Sequence, residues 1–456
     1  MVIKNGIVVT ENKTIRADVR IKGDKIVEIG RGLRGRDVID AKYKCVMPGG
    51  VDVHTHFDLD VGIAVSQDDF HTGTVAAACG GTTTIVDHIG FGPKGCSLDH
   101  QIGKYHGLAK GKAVIDYGFH GVIQHLDDDV LTKMESLMQS GITSYKIYMT
   151  YDFKMADEQI YEILRHAKKL GLMIAVHPEN DGVVNKRRAE LVAQGKTAPI
   201  YHAISRPEPC EAEAINRVLQ ISAMAGDAPV YIVHLSSHLA MEYVDHAEYN
   251  GMKNVFVETC PQYLMLDDDL YNNDDGLKYV MSPPLRALRN NKLLWKDIEE
   301  RHIDTIGTDH CPFDYKLKRE LAKDDFTKCP GGAPGVELRM PIMFSEGVIK
   351  RRIPAKRIAE MCCTNPAKLF GMYPKKGVIR VGSDADITII NLRRRRTVRH
   401  KNLHERVDYT PYEGLDLLCT VDTVISRGEV IVKNNEYIGK PGRGEFVKRG
   451  KPILID

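Results

Sequence analysis

The feature that most constrains this chain is a repeated alternation of short apolar strands with helical stretches between residues 49 and 372. Segments 83–87, 144–148, 173–177, 230–234, 255–258 and 305–308 are strand-like, and helical patterns such as 156–169 and 211–225 lie between them. A strand followed by a helix and another strand makes parallel sheet, because the helix is the crossover that returns the chain to the same edge. The span fits a (β/α)8 TIM barrel with insertions, which runs from roughly 200 to over 400 residues. An open doubly wound sheet would usually carry a Gly-rich phosphate loop after its first strand, and there is none here. Both chain ends are β in character instead. Residues 17–21 and 25–29 alternate apolar and polar around the Gly23-Asp24 turn, and 377–379, 386–390 and 429–432 read as further strands. The expected fold is α/β: a TIM-barrel catalytic domain at 49–372 interrupting a small β-sandwich built from 1–48 and 373–456, the last piece also serving as an oligomerisation tail.

Charge excludes several functions. Lys plus Arg number 63 and Asp plus Glu 61, so nothing draws the whole molecule to nucleic acid or membrane. The Arg393–Arg396 run is local and reads as a solvated loop or subunit contact. Asp127-Asp128-Asp129 and Asp267-Asp268-Asp269 read as helix starts. No apolar run approaches the roughly 20 residues of a membrane span. Met1 to Val9 has no signal-peptide pattern, so a cytoplasmic home with reduced thiols is expected. The ten cysteines form no C-x-x-C, and no structural zinc site is expected from them.

The chemistry lies at strand ends. The first barrel strand runs into His54-Thr55-His56, and residues two apart on a strand share a face. His177 and His234 end two other strands, and Asp309 closely follows a further one. In a TIM barrel the C-terminal strand ends converge on one site, so these imidazoles and the carboxylate form a candidate metal centre. Lys146 lies inside an apolar strand. Burial lowers a lysine pKa toward the neutral amine, and a neutral amine can add carbon dioxide to become a carbamate able to bridge two metal ions.

Seven segments together resemble the hydantoinase/dihydropyrimidinase family of cyclic amidohydrolases. They are Gly49-Gly50-Val51-Asp52-Val53-His54-Thr55-His56, Tyr145-Lys146, Val176-His177-Pro178-Glu179-Asn180, Val233-His234-Leu235-Ser236, Glu258-Thr259-Cys260-Pro261-Gln262-Tyr263-Leu264, Ser282-Pro283-Pro284-Leu285-Arg286 and Gly307-Thr308-Asp309-His310. Phe119–His125 and Tyr201–Pro207 are similar to its D-phenylhydantoinase branch.

The resemblance implies hydrolytic opening of 5-substituted hydantoins, D-configured and aryl-bearing by preference, to N-carbamoyl amino acids. It implies that His54, His56 and Asp309 hold one divalent metal, that His177 and His234 hold the other, and that carboxylated Lys146 bridges them. Zinc suits these donors, and manganese also accepts them. By the same resemblance Asp309 carries the proton, Tyr151 hydrogen-bonds the substrate carbonyl, and backbone groups of Ser282 and Gly331 hold the ring amide. The family often has Asn where this chain has Gly331. Val61, Tyr148 and Met155 are expected to wall the pocket for the exocyclic group, Val61 and Met155 leaving it wide. A homotetramer is implied, with the segment from Tyr409-Thr410-Pro411-Tyr412 to Gly442-Arg443-Gly444 expected to form contacts rather than core. Alternatives are a dihydropyrimidinase acting on dihydrouracil or dihydrothymine, and a non-catalytic scaffold of the same fold, although such scaffolds lose ligands that this chain keeps. A dihydroorotase would carry an Arg soon after the H-x-H, where Phe57-Asp58-Leu59 stands.

Overall fold

A computed structural model describes residues 1–455. Eight parallel strands follow one another in space in their chain order: Gly50–Thr55, Thr82–His88, Asp116–Val122, Ser144–Tyr148, Met173–His177, Val230–Ile232, Val255–Thr259 and Thr305–Ile306. Helices lie between and around them, as the alternation in the sequence requires. Asp157–Leu170 shows why such a helix forms and stops. Ile160, Ile163, Leu164 and Ala167 repeat at helical spacing and are buried, and Gly171 ends the helix at φ 71°. The Thr55–His310 bridge and the bond from His56 N to His310 O close the seam between the first and last strands.

The chain ends form one mixed nine-stranded sheet. Strand Lys44–Pro48 sits between two cores: Val46 faces a small core with Val19, Ile26, Ile387 and Ile389, while Cys45 and Met47 face the barrel's core. Thr388, between two isoleucines, donates its hydroxyl to Gly81 O of the barrel. Deeper in this junction Asp116, Asp384 and Asp386 converge, and the Lys376 ammonium lies 2.6–2.9 Å from all three. That lysine supplies the positive charge the cluster needs and leaves no place for a cation.

Three expectations are corrected or refined. Residues 377–379 form no strand, although Ile379 is buried in the small core. The third barrel strand, Asp116–Val122, has an apolar pattern interrupted by Gly118, His120 and Gly121 and was not expected. Tyr409 and Tyr412 are buried rather than projecting as contact chain, because the Tyr409 hydroxyl donates to Lys278 O and Tyr412 packs into the barrel's core. The Asp127 carboxylate does cap a helix, accepting from Val130 N, and Asp267 caps a short 3-10 turn. Arg393, Arg394 and Arg395 are exposed in a turn. No helix among the described residues is long and apolar enough to cross a membrane.

Candidate active site

The barrel brings the strand-end residues into one cavity of about 540 Å³. His54, His56, Lys146, His177, His234 and Asp309 line it together with Tyr148, Tyr151, Ser282, Gly331 and Val61. Three of these residues adopt the left-handed backbone region: Tyr151 at φ 74°, His234 at φ 42° and Asp309 at φ 52°. Such strain in non-glycine residues gathers where surroundings over-determine the backbone, as at functional sites.

Two donor groups stand side by side. His54 Nε2 and His56 Nε2 each lie 3.1 Å from Asp309 Oδ1, and the three residues offer ligand atoms within 4.8 Å of one another. His54 Nε2 is buried and makes no hydrogen bond. In the second group, His177 Nδ1 and His234 Nε2 lie 2.8 Å apart. The His54 and His234 rings are 5.4 Å apart, so both groups face one space.

Carboxylates behind the imidazoles choose which nitrogen faces inward. Glu258 Oε1 is 2.5 Å from His54 Nδ1, which puts the proton there and leaves Nε2 as the free donor. Glu179 Oε2 is 2.8 Å from His177 Nε2 and leaves Nδ1 toward His234. Glu179 is itself held by Arg206 at 2.5 Å, and this ion pair, with the His177 hydrogen bond, overcomes burial to hold the carboxyl down at about 2. Burial opposes ionisation of Asp309, but His54 and His56 outweigh it and hold that carboxyl well below the usual range. Burial alone would lower His54 too, yet Glu258 and Asp309 raise it to about 9, so without metal Nε2 also carries a proton, which a bound ion would displace. For Lys146 burial wins: 2% exposed, its amine is pushed down to about 7. The donor set therefore fits divalent ions: imidazole nitrogens oriented by the carboxylates behind them, an ionised carboxylate, and a buried amine beside them.

Val61 is 43% exposed, and the Tyr148 ring lies 5.7 Å from that of His177. Tyr151 is 5.2 Å from the same imidazole. At Gly331 an added Cβ would meet only the Met281 Cα, 4.0 Å away, so nothing crowds the first side-chain atom where the family often has Asn. Met155 does not line the cavity. Its backbone N bonds Tyr148 O, the intervening loop doubles back, and its side chain is buried in the core. The wall facing Tyr148 is aromatic instead: the Phe91 ring lies 5.1 Å from Tyr148 and 4.3 Å from Phe153.

Other participants were not singled out from the sequence. Glu258 and Glu179 needed only the rule already applied to the histidines, since Glu258 lies at a strand end and Glu179 two residues past His177. His88 ends the second strand, with its ring 4.4 Å from that of His54. Arg206 and His202 lie in the Tyr201–Pro207 segment that carried the branch resemblance, but nothing there gave them a role, because only the folded chain brings them to the cavity.

A model of the amidohydrolase family matches residues 45–431. The chain belongs to the amidohydrolase family. This amidohydrolase is 47% identical to a D-phenylhydantoinase of Escherichia coli O81 (strain ED1a), over 100% of this chain and 99% of that one. Its fold is similar to a crystal structure of dihydropyrimidinase from Brevibacillus agri NCHU1002, with TM-score 0.96, 44% identity and 99% of each chain covered. It is also similar to D-hydantoinase from Bacillus sp. AR9, with TM-score 0.97, 44% identity and 100% of each chain covered. Amidohydrolases of this type carry a dinuclear metal site, which agrees with the paired donor groups.

Proposed function

We propose that this amidohydrolase opens the ring amide of 5-substituted hydantoins, preferring D-configured aryl substituents, and releases N-carbamoyl amino acids. The observation that carries the reading is the two facing donor groups with Lys146 in the same cavity, its amine near neutrality. His54, His56 and Asp309 would hold one divalent ion, His177 and His234 the other, and carboxylated Lys146 would join them; zinc suits this set. When bound, the two ions supply Lewis acidity and make water nucleophilic at neutral pH.

The protein's own residues do the rest. Asp309 stays ionised and accepts a proton from the attacking water. The water oxygen bonds to the carbonyl carbon, the ring C–N bond breaks, and Asp309 passes the proton to the departing nitrogen. Tyr151 donates to the carbonyl oxygen as negative charge gathers there. Backbone groups of Ser282 and Gly331 hold the ring amide, and the aromatic wall with Val61 takes the 5-substituent. Burying an aryl group gains roughly 25 cal/mol per Å² removed from water.

In the same reading the chain acts as a homotetramer in the cytoplasm, where its ten unpaired cysteines stay reduced. The test is turnover of 5-phenylhydantoin, hydantoin, dihydrouracil and allantoin by metal-loaded protein, with chiral analysis of the product. Fastest opening of 5-phenylhydantoin to the D-product is expected. Fastest opening of dihydrouracil would make it a dihydropyrimidinase, and no turnover at full metal occupancy would overturn the reading.

A further inference from the structure

The active-site cavity has a basic lining residue that the ring-opening chemistry does not use. Three basic residues follow one another on helix Asp181–Ala193. Lys186 pairs with Glu190 at 3.4 Å, and Arg187 donates to Ile204 O at 2.8 Å. Arg188 alone is turned into the active-site cavity, half-buried, and among the described residues it has no carboxylate within ion-pair distance. The cavity's other arginine, Arg206, is already neutralised by Glu179. Two cavity carboxylates besides Asp309, Asp60 and Asp152, belong to exposed loops and make no ion pair with Arg188.

Arg188 lines the same cavity as the aromatic residues Phe91, Phe153 and Phe326. Its helix packs against Ile200–Ser205, which carries His202, and the His202 ring lies 6.1 Å from Phe326, another lining residue. His202 cannot share the positive charge. Burial pushes its pKa down to about 3, and its Nε2–H donates to Met281 O at 2.7 Å. A substituent reaching from the metal ligands into this cavity has aromatic rings and one uncompensated guanidinium among its lining. A guanidinium at such a place suits a planar carboxylate, which can take two parallel N–H bonds.

We propose that Arg188 forms an anion-binding end to the exocyclic pocket, so that the enzyme selects hydantoins whose 5-substituent ends in a carboxylate. The proposal rests on the ring-opening reading and names its substrate class more narrowly. A carboxyaryl substituent satisfies both features, its ring against the aromatic side chains and its carboxylate on Arg188.

The experiment compares kcat/KM for 5-(4-carboxyphenyl)hydantoin and its neutral isostere 5-(4-carbamoylphenyl)hydantoin, in wild type, Arg188→Met and Arg188→Lys. A charge-assisted bond separates the two by about tenfold or more, so the wild type is expected to prefer the carboxylate by that ratio. The preference should disappear in Arg188→Met, return in part in Arg188→Lys, and shrink as ionic strength rises. If wild type opens both compounds but the ratio does not depend on residue 188, the anion site is refuted and ring opening stands. If wild type opens neither compound nor 5-phenylhydantoin, both readings fall together.

Discussion

Glu258→Gln isolates what the carboxylate behind His54 contributes. Glu258 is fully buried and accepts from three donors: His54 Nδ1 at 2.5 Å, His234 N at 3.0 Å and the Tyr231 hydroxyl at 2.8 Å. A glutamine has nearly the same shape. Its oxygen can keep His54 and His234, and its amide can donate to Tyr231, whose hydroxyl can turn to Thr305 Oγ1 at 2.6 Å. His54, His234 and Tyr231 all keep partners, so the change removes the charge and adds one amide N–H in its place. A hydrogen bond to a charged group is worth roughly 1.5–3 kcal/mol and a neutral one roughly 0.5–1.5 kcal/mol. The difference of roughly 1–1.5 kcal/mol weakens His54 as a ligand about tenfold, the low end of the 10–100-fold that outer partners of metal ligands command. Competition with a chromophoric chelator measures the affinity, and a thermal melt of the metal-free protein should shift by less than about 3 °C. Glu258→Ala is the contrast: it strands the His54 and His234 N–H groups at about 1–3 kcal/mol each and destabilises the fold. If Glu258→Gln binds metal within about threefold of wild type, the carboxylate does not tune His54 and the argument fails.

Lys146→Ala should abolish turnover and lower metal content; two metals and full rate in that variant would refute the bridge. The pH dependence of the metal-free, carbon-dioxide-free protein follows from the same amine. Below about pH 7 both folded and unfolded chains hold its proton and the burial penalty is constant, whereas between about 7 and 10.5 only the unfolded chain holds it. Wild type should therefore gain stability relative to Lys146→Met as pH rises through that window, read by denaturant melts; a flat difference would mean the amine is not desolvated. Val61→Phe should cut kcat/KM for 5-phenylhydantoin more than for dihydrouracil, because the larger ring takes space the aryl group needs, and equal losses would remove Val61 from the pocket. Light scattering at micromolar concentration should show a tetramer, and monomer alone would count against it.

The barrel was legible because its signal is redundant. Several apolar strands each ended in a residue that makes no sense as packing, and a parallel barrel is the arrangement that gathers strand ends. The third strand escaped because glycine and histidine interrupt it, and their reasons are tertiary. A Cβ at Gly121 would collide with the Tyr145 ring, and His120 bridges Val53 O and Ser144 Oγ inside the barrel. Met155 was misplaced because counting residues from Lys146 assumes a loop of fixed path, whereas this loop turns back on the strand that launched it. Tyr409 and Tyr412 resemble surface chain in sequence, since nothing local reveals that the barrel reserves space for them. Arg188 reads as one more basic residue in a helix until the fold shows that its neighbours are engaged and it is not.

The same limit applies to the seam of the barrel, where one donor group is assembled. His54 and His56 stand at the first strand and Asp309 just past the last, so these three meet only if the ring closes. Few backbone bonds join those two strands directly. Arg339, fully buried, reinforces the join: one of its terminal nitrogens reaches Val51 O at 3.1 Å, Ile306 O at 2.8 Å and Cys362 O at 3.3 Å, and the other reaches Thr82 Oγ1 at 3.1 Å. Asp52 stands 3.6 Å from its Nε and accepts from Thr308 Oγ1 at 2.8 Å, one residue before Asp309. A side chain at Gly50 would come within 2.9 Å of the guanidinium, which is why that strand begins with glycine. The guanidinium therefore bridges the first and last strands below the site and, through Asp52 and Thr308, bears on the turn that aims Asp309. Placing the ligands thus depends on a residue far along the chain that touches none of them.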